Sequence, residues 1–489
     1  MGKHPLFLIV VFDALRPDMV TPELAPNLSS FMATGCNFPF SRAVFPTSTH
    51  PNAAALTTGA TPRNNGIVSN RFFDPNVFSD QLLRPGLVEH IDAAQAAYKG
   101  RFYATPTLGE LATAAGYKTA AITTGPAGTA RPFDPEARER GNINLCIKAW
   151  GASTPKSVAE DLVRRYGPIP PTAVPNFEAI RLQTDMLLEE IYPAYEPDLA
   201  LLWFSDPDQT YHYRGVGSPE SVEAVRHVDA QFGRILEWWR RSALYDRLQI
   251  IAVSDHGHLT TIKRIDVNKE AAAAGLLIDQ HFAAGADYAG YTSYSGGVKV
   301  RDGDRRRRAA LVDWLFEQPW CGVIFTKDGN GIEGGIAGTF DHSLALIDHP
   351  RAPDVCYVMT NDDGVGASGL PGRCYYNGKY PEGDGGTHGG LHPKELHNVM
   401  AVQGSLFKEA AASPYPAGII DVAPTIARAM GFAQPASMDG RVLTEAMRVG
   451  AEPVEPMTVS RSIARGSRVQ HLRYSQVSAT TYLEAAWVE

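Results

Sequence analysis

Cysteine is scarce in this chain, and its pattern excludes one class of protein. Cys36, Cys146, Cys321, Cys356 and Cys374 are odd in number, scattered, and include no CxxC pair. They form no disulfide framework, although a single bridge stays open. Long apolar runs are absent too. The first, Leu6 to Phe12, is far shorter than the roughly 20 residues of a membrane span and ends at Asp13. It carries no cleavage-site pattern, so it reads as a buried strand and not as a signal peptide. The expectation is a soluble, cytoplasmic protein with no membrane partner. Positive charge is sparse as well: the formal net charge is -8, and the one dense basic run is Arg305 to Arg308. That run follows Asp302-Gly303-Asp304 and reads as a solvated helix start. A nucleic-acid polymer is therefore not an expected partner, since binding one needs a basic surface that displaces counterions.

What is present is ordinary globular material, 489 residues with 44% hydrophobic and 20% charged and no internal repeat. Short β-branched or aromatic runs alternate with amphipathic stretches. The clearest strands are Phe7–Phe12, Thr119–Ile122, Leu199–Phe204 and Gln249–Val253; helices are expected at 107–115, 179–190 and 220–242. This alternation predicts the α/β class: a mostly parallel central sheet with helices on both faces. Residues 1–258 and 388–450 make the catalytic core. Residues 259–387, rich in glycine and with strand and helix signals of their own, form an inserted α+β cap that shapes the substrate pocket. Residues 451–489 alternate in character and are expected to be C-terminal edge strands. Whether they lie on an edge or pair between chains, giving a homo-oligomer, stays open.

Three of the strands end in residues that bind metals. Asp13 closes the first, Asp208 and His212 follow Leu199–Phe204, and Asp255-His256-Gly257 follows Gln249–Val253. His388 sits between glycine-rich flanks in Gly386-Thr-His388-Gly-Gly390. Reactive groups of open α/β sheets gather outside the carboxyl ends of the strands, so these residues should converge. Each has a plain alternative: Asp13 as a helix N-cap, Asp208 and His212 as a surface pair, Asp255-His256-Gly257 as a turn, His388 as a loop residue. Together they would require four coincidences at the right places. Carboxylates and imidazoles suit two Zn²⁺ ions, although the same ligand types accept Mn²⁺ or Fe. A pair of cations about 4 Å apart offsets the charge of a phosphate ester and aligns attacking and leaving oxygens.

Thr49 adds a hydroxyl. Pro51 suits the first turn of a helix running from there towards Gly59, which puts Thr49 at or just before the N-cap, where the dipole and free N–H groups favour an anion. A threonine hydroxyl bound to a metal can act as a nucleophile; without metal ligands nearby it would read as a plain cap.

In this order the segments resemble the alkaline phosphatase superfamily, and within it the nucleotide pyrophosphatase/phosphodiesterase branch, from Phe7 to about Leu443. The most specific stretch is Pro46-Thr-Ser-Thr49-His-Pro-Asn52, with Thr58-Gly59, Pro62 and Asn65 to Asp74. The resemblance implies an alkaline phosphatase-like core and a phosphodiesterase acting through a phospho-threonine on Thr49. It further implies that Asn70 holds a phosphoryl oxygen, that Asp208, His212 and His388 bind one zinc, and that Asp13, Asp255 and His256 bind the other.

Departures from the family bear on substrate. Superfamily members acting on doubly charged phosphoryl groups place basic residues on the loop after the strand near Thr119–Ile122. Here Thr123-Thr-Gly-Pro-Ala-Gly-Thr129 has none before Arg131, which favours a small, singly charged phosphodiester, with Arg71 and Arg131 as substitute cations. The residue after the nucleophile is His50 where nucleotide-cleaving members carry Phe. His50, Arg71, Phe73 and Tyr211 are the candidate substrate contacts. The alternatives are a phosphonate or phosphomonoester hydrolase of the same superfamily, or an inactive homologue that binds a phosphorylated ligand.

Overall fold

The structure is a computed structural model that describes residues 4–378, 380–381 and 385–489. Its centre is an eight-stranded sheet. The run Leu6–Phe12 lies between Leu199–Phe204 and Leu248–Val253, both parallel to it, and Thr119–Thr123 and Ile143–Cys146 extend the parallel array on the Leu199 side. Met400–Gln403 adds antiparallel beside Leu248–Val253.

The first strand is apolar at every position because both its faces are covered. Side chains alternate across the sheet. Leu8, Val10 and Phe12 join one cluster, with Val228 and Phe232 of the helix Pro219–Arg241. Phe7, Ile9 and Val11 join another, with Leu56 of the helix Thr49–Thr58 and Leu108 of Leu108–Ala114. Thr107 caps the last of these through a capping box with Glu110, which explains its start. Helices thus cover both faces, and the α/β architecture expected from the alternating runs is the one observed.

The segment 259–387 holds two further sheets. One has six strands, including Ser295–Val300, Cys321–Thr326 and Val355–Met359; the other joins Leu259–Arg264 to Asn361–Val365, Pro371–Tyr376 and Gly386–Thr387. The second of these carries the chain from His256 out and back to His388, so both histidines sit at its root. The helix Arg305–Glu317 begins at the basic run, with Asp304 accepting from the Arg306 and Arg307 N–H groups.

The C-terminal segment, expected to supply edge strands, supplies three. Met457–Arg465, Arg468–Val477 and Thr480–Val488 make an antiparallel sheet of their own. Its inward residues Leu472, Tyr474, Leu483 and Ala486 pack with the apolar cluster of the 259–387 segment, so burial and not edge pairing holds it. The five cysteines are buried and unbridged. No helix among the described residues is long and apolar enough to cross a membrane.

Candidate active site

Asp13 follows Phe12 at the carboxyl end of its strand, and its N–H donates to the Phe204 carbonyl at 3.1 Å. The Asp208 N–H donates in turn to the Asp13 carbonyl at 3.0 Å, so the neighbouring strand ends are laced together. Asp208 opens the short helix Asp208–Arg214, which carries His212 four residues on, on the same face. Asp255 and His256 leave the strand on the other side of Leu6–Phe12. Gly257 is required there by close approach: a Cβ would lie 2.0 Å from the Lys394 carbonyl.

These residues fall into two adjoining clusters. Asp13, Asp255 and His256 form one; Asp208, His212, His388 and His258 form the other. The His256 and His388 rings stack with centroids 3.9 Å apart, so the clusters touch. His258 had no place in the sequence reading, though Asp255-His256-Gly257-His258 offered the signal, the second histidine lying two positions beyond the first.

The donor set fits divalent cations. Asp13 Oδ1, Asp208 Oδ1 and Asp255 Oδ2 are buried with no hydrogen-bond partner. On two of them the other oxygen is occupied: Asp13 Oδ2 accepts from Trp203 Nε1 at 2.8 Å, and Asp255 Oδ1 from the Ala14 and His256 N–H groups at 2.9 and 3.0 Å. Nδ1 of His212, His256 and His388 faces the carbonyls of Gly386, Gly257 and Thr47 at 2.9, 3.0 and 2.8 Å. Nδ1–H donation leaves each Nε2 lone pair pointing inward, the orientation found in metal-binding histidines. Nε2 of His212, His258 and His388 lies 3.5, 3.5 and 3.4 Å from Asp208 Oδ1. Unpaired buried carboxylates facing imidazole lone pairs are unfavourable unless a cation lies between them.

The electrostatics agree. Burial, then the charges of Asp255 and Asp208, hold the Asp13 carboxyl well above its usual range. Burial alone would raise Asp208 too, but His212, His258 and His388 together hold it well below. Burial pushes His258 down to about 3, so it is a neutral imidazole.

Thr49 is the first residue of its helix, with Ser48 at the N-cap, and its Oγ1 lies 3.4 Å from His256 Nε2. The His50 N–H donates to Asn70 Oδ1 at 2.9 Å, and Pro51 has no N–H, so the Thr49 N–H is the free donor of this helix start. Anchoring Asn70 by its oxygen leaves its NH₂ to donate. Behind this loop, Glu395 is fully buried and accepts from Gly390 N at 3.0 Å, Tyr294 Oη at 3.0 Å and Thr47 Oγ1 at 3.4 Å. One carboxylate thereby ties the Thr47–Thr49 loop to the His388 loop and to the 259–387 segment.

A cavity of about 710 Å³ opens over Thr49, lined also by Asp13, His50, Asn70, Asp208, His212 and His388. Two of the candidate substrate contacts are corrected. Phe73 packs against Leu82, Ala289 and Tyr291, and Tyr211 is fully buried edge-on to His258, so both are core residues. Arg71 is exposed and lies outside the cavity lining among the described residues. Arg131 pairs with Asp92 at 2.9 Å, also away from the cavity. His50 does line it, as do Tyr213 and two residues that sequence reasoning did not single out, Lys148 and Tyr380.

The family model described as type I phosphodiesterase / nucleotide pyrophosphatase matches residues 7–313. The chain belongs to that family. Human ectonucleotide pyrophosphatase/phosphodiesterase family member 7 is 27% identical over 294 residues, 57% of this chain and 52% of that protein. Venom phosphodiesterase 2 of Crotalus adamanteus is 24% identical over 237 residues, 48% of this chain and 24% of that protein. The chain thus spans about a quarter to a half of these curated relatives. Among solved structures, murine ectonucleotide pyrophosphatase/phosphodiesterase 5 superposes with a TM-score of 0.61 at 17% identity, covering 90% of this chain and all of that one. That likeness shows the shared alkaline phosphatase-like fold.

Proposed function

We propose that this member of the family is a two-metal phosphodiesterase that transfers the phosphoryl group of a small phosphodiester to Thr49 and then hydrolyses the phospho-threonine. The observation that carries the reading is the position of Thr49 Oγ1, 3.4 Å from His256 Nε2 and beside the orphaned carboxylate oxygens, with Asn70 anchored alongside.

Asp13, Asp255 and His256 with Thr49 would hold one cation; Asp208, His212 and His388, joined by His258, the other. Zn²⁺ suits this mixture of imidazole and carboxylate, with Mn²⁺ or Fe as alternatives. When bound, the two cations offset phosphoryl charge and polarise the ester oxygens. The chain's own atoms do the rest. Thr49 Oγ forms the new O–P bond as the alcohol leaves. The Thr49 N–H and the Asn70 NH₂ donate to the nonbridging oxygens, and water then attacks phosphorus to return the free hydroxyl. Murine ectonucleotide pyrophosphatase/phosphodiesterase 5 has also been solved, as an inactive variant, in complex with AMP, a phosphomonoester.

Thr49→Ala tests this. Hydrolysis of bis(p-nitrophenyl) phosphate by the metal-replete protein should fall by about a thousandfold or more, with folding and metal content retained. Wild-type turnover in the Ala variant would overturn the nucleophile, and fewer than two cations per chain at zinc saturation would overturn the two-metal site.

A further inference from the structure

The cavity over Thr49 contains a cation that the two-metal chemistry leaves unused. Lys148 follows the strand Ile143–Cys146, which borders Thr119–Thr123 and ends the row of parallel strands carrying Asp13 and Asp208. Its side chain is half-buried, lines the cavity, and donates through Nζ to the amide oxygen of Gln209, the residue after Asp208. Gln209 is anchored in turn, its Nε2 donating to the Ala173 carbonyl at 2.7 Å. Asp206, Asp13 and Asp208 act on Lys148 through space without forming an ion pair. Among the other lining residues Ala149, Ala152 and Val174 bring no charge, and Glu89, which brings a carboxylate, forms no ion pair with Lys148.

An ammonium has three N–H donors, and one drawn partly out of water with a neutral amide for a partner remains incompletely satisfied. The group it lacks is an anion, which makes the strongest hydrogen bonds to it. Lys148 also springs from a strand three steps of about 4.8 Å from the one ending in Asp13, beside the phosphoryl position and not on it.

We infer that Lys148 receives a second anionic group of the substrate, a carboxylate or phosphate borne by one alcohol of the phosphodiester, and selects such diesters over singly charged ones. This rests on the phosphodiesterase reading above and narrows its substrate class. The absence of basic residues before Arg131 on the 123–129 loop then reflects relocation of the cation to the next strand end.

The experiment compares matched p-nitrophenyl diesters of the metal-replete protein: the ester of phosphoglycolate against p-nitrophenyl ethyl phosphate, and a second ester bearing phosphate in place of the carboxylate. The leaving group is constant, so the ratio of kcat/KM values reads recognition of the added charge. Wild type should prefer one or both anionic diesters, the larger ratio showing which anion is taken. Lys148→Met should cut that preference about tenfold or more, and Lys148→Arg should keep most of it. A preference unchanged in Lys148→Met, or none in wild type, overturns the inference while leaving the phosphodiesterase reading standing. If no diester is turned over, that reading fails. Calorimetric binding of the same esters to Thr49→Ala, with and without Lys148→Met, then tests the lysine independently, equal affinities counting against it.

Discussion

Glu395 offers a quantitative test of how the Thr47–Thr49 loop is held. Its carboxyl is fully buried, and burial pushes it up from an ordinary 4.5 to about 7, against the opposing donors at Gly390, Tyr294 and His392. A folded-state value raised above the unfolded one contributes stability that is complete below pH 4.5 and is lost as pH rises towards 7. At about 1.4 kcal/mol for each tenfold, the rise is worth about 3 kcal/mol across that window. Glu395→Gln keeps the shape and an acceptor for the Gly390 N–H but cannot ionise. Its stability relative to wild type should therefore improve by about 3 kcal/mol between pH 4.5 and 8, on top of a pH-independent cost of the amide facing the His392 N–H. Denaturant midpoints of the metal-loaded pair at pH 5, 6, 7 and 8 measure this, and taking the difference cancels the metal and histidine linkage common to both. A flat difference would show that burial does not hold the Glu395 proton, and the reasoning would fail.

Three further outcomes follow from the geometry. His258→Ala should weaken binding of one of two cations by about 10–100-fold in chelator competition; unchanged affinity for both would remove His258 from the cluster. Trp203→Phe deletes the 2.8 Å bond to Asp13 Oδ2 and should weaken the other cation by a comparable factor, read the same way. Gly386→Ala would place a Cβ 2.5 Å from His258 Nδ1 and 2.9 Å from the Tyr211 carbonyl. It should lower both metal content and melting temperature, and a variant with wild-type values would show that the cluster can shift freely.

Much of the centre was legible in the chain because it depends on local patterning. The runs at Leu6–Phe12 and Leu199–Phe204 are apolar throughout and Leu248–Val253 is apolar but for Gln249, so they had to be buried strands, and polar residues at their carboxyl ends had to lie on one edge of the sheet. Asp13, Asp208 and Asp255 follow from that rule, and Thr49 from the helix start marked by Pro51. Substrate contacts did not follow. An aromatic residue close to a motif has the same sequence signature whether it faces a cavity or the core, and Phe73 and Tyr211 turned inward because apolar neighbours were there to cover them. Arg131 and Lys148 show the same limit for charge. Each follows a parallel strand, but Asp92 neutralises the first while no carboxylate pairs with the second.

By itself, then, the order of residues determined a parallel α/β core, the strand-end carboxylates and the hydroxyl at a helix start, because periodicity and end rules act over a few residues. Tertiary structure alone decided that His258 joins Asp208, that Glu395 braces Thr47 against Gly390, and that Lys148 borders the cavity. Those relations join segments far apart in the chain, and only sheet order and packing set the distances between them.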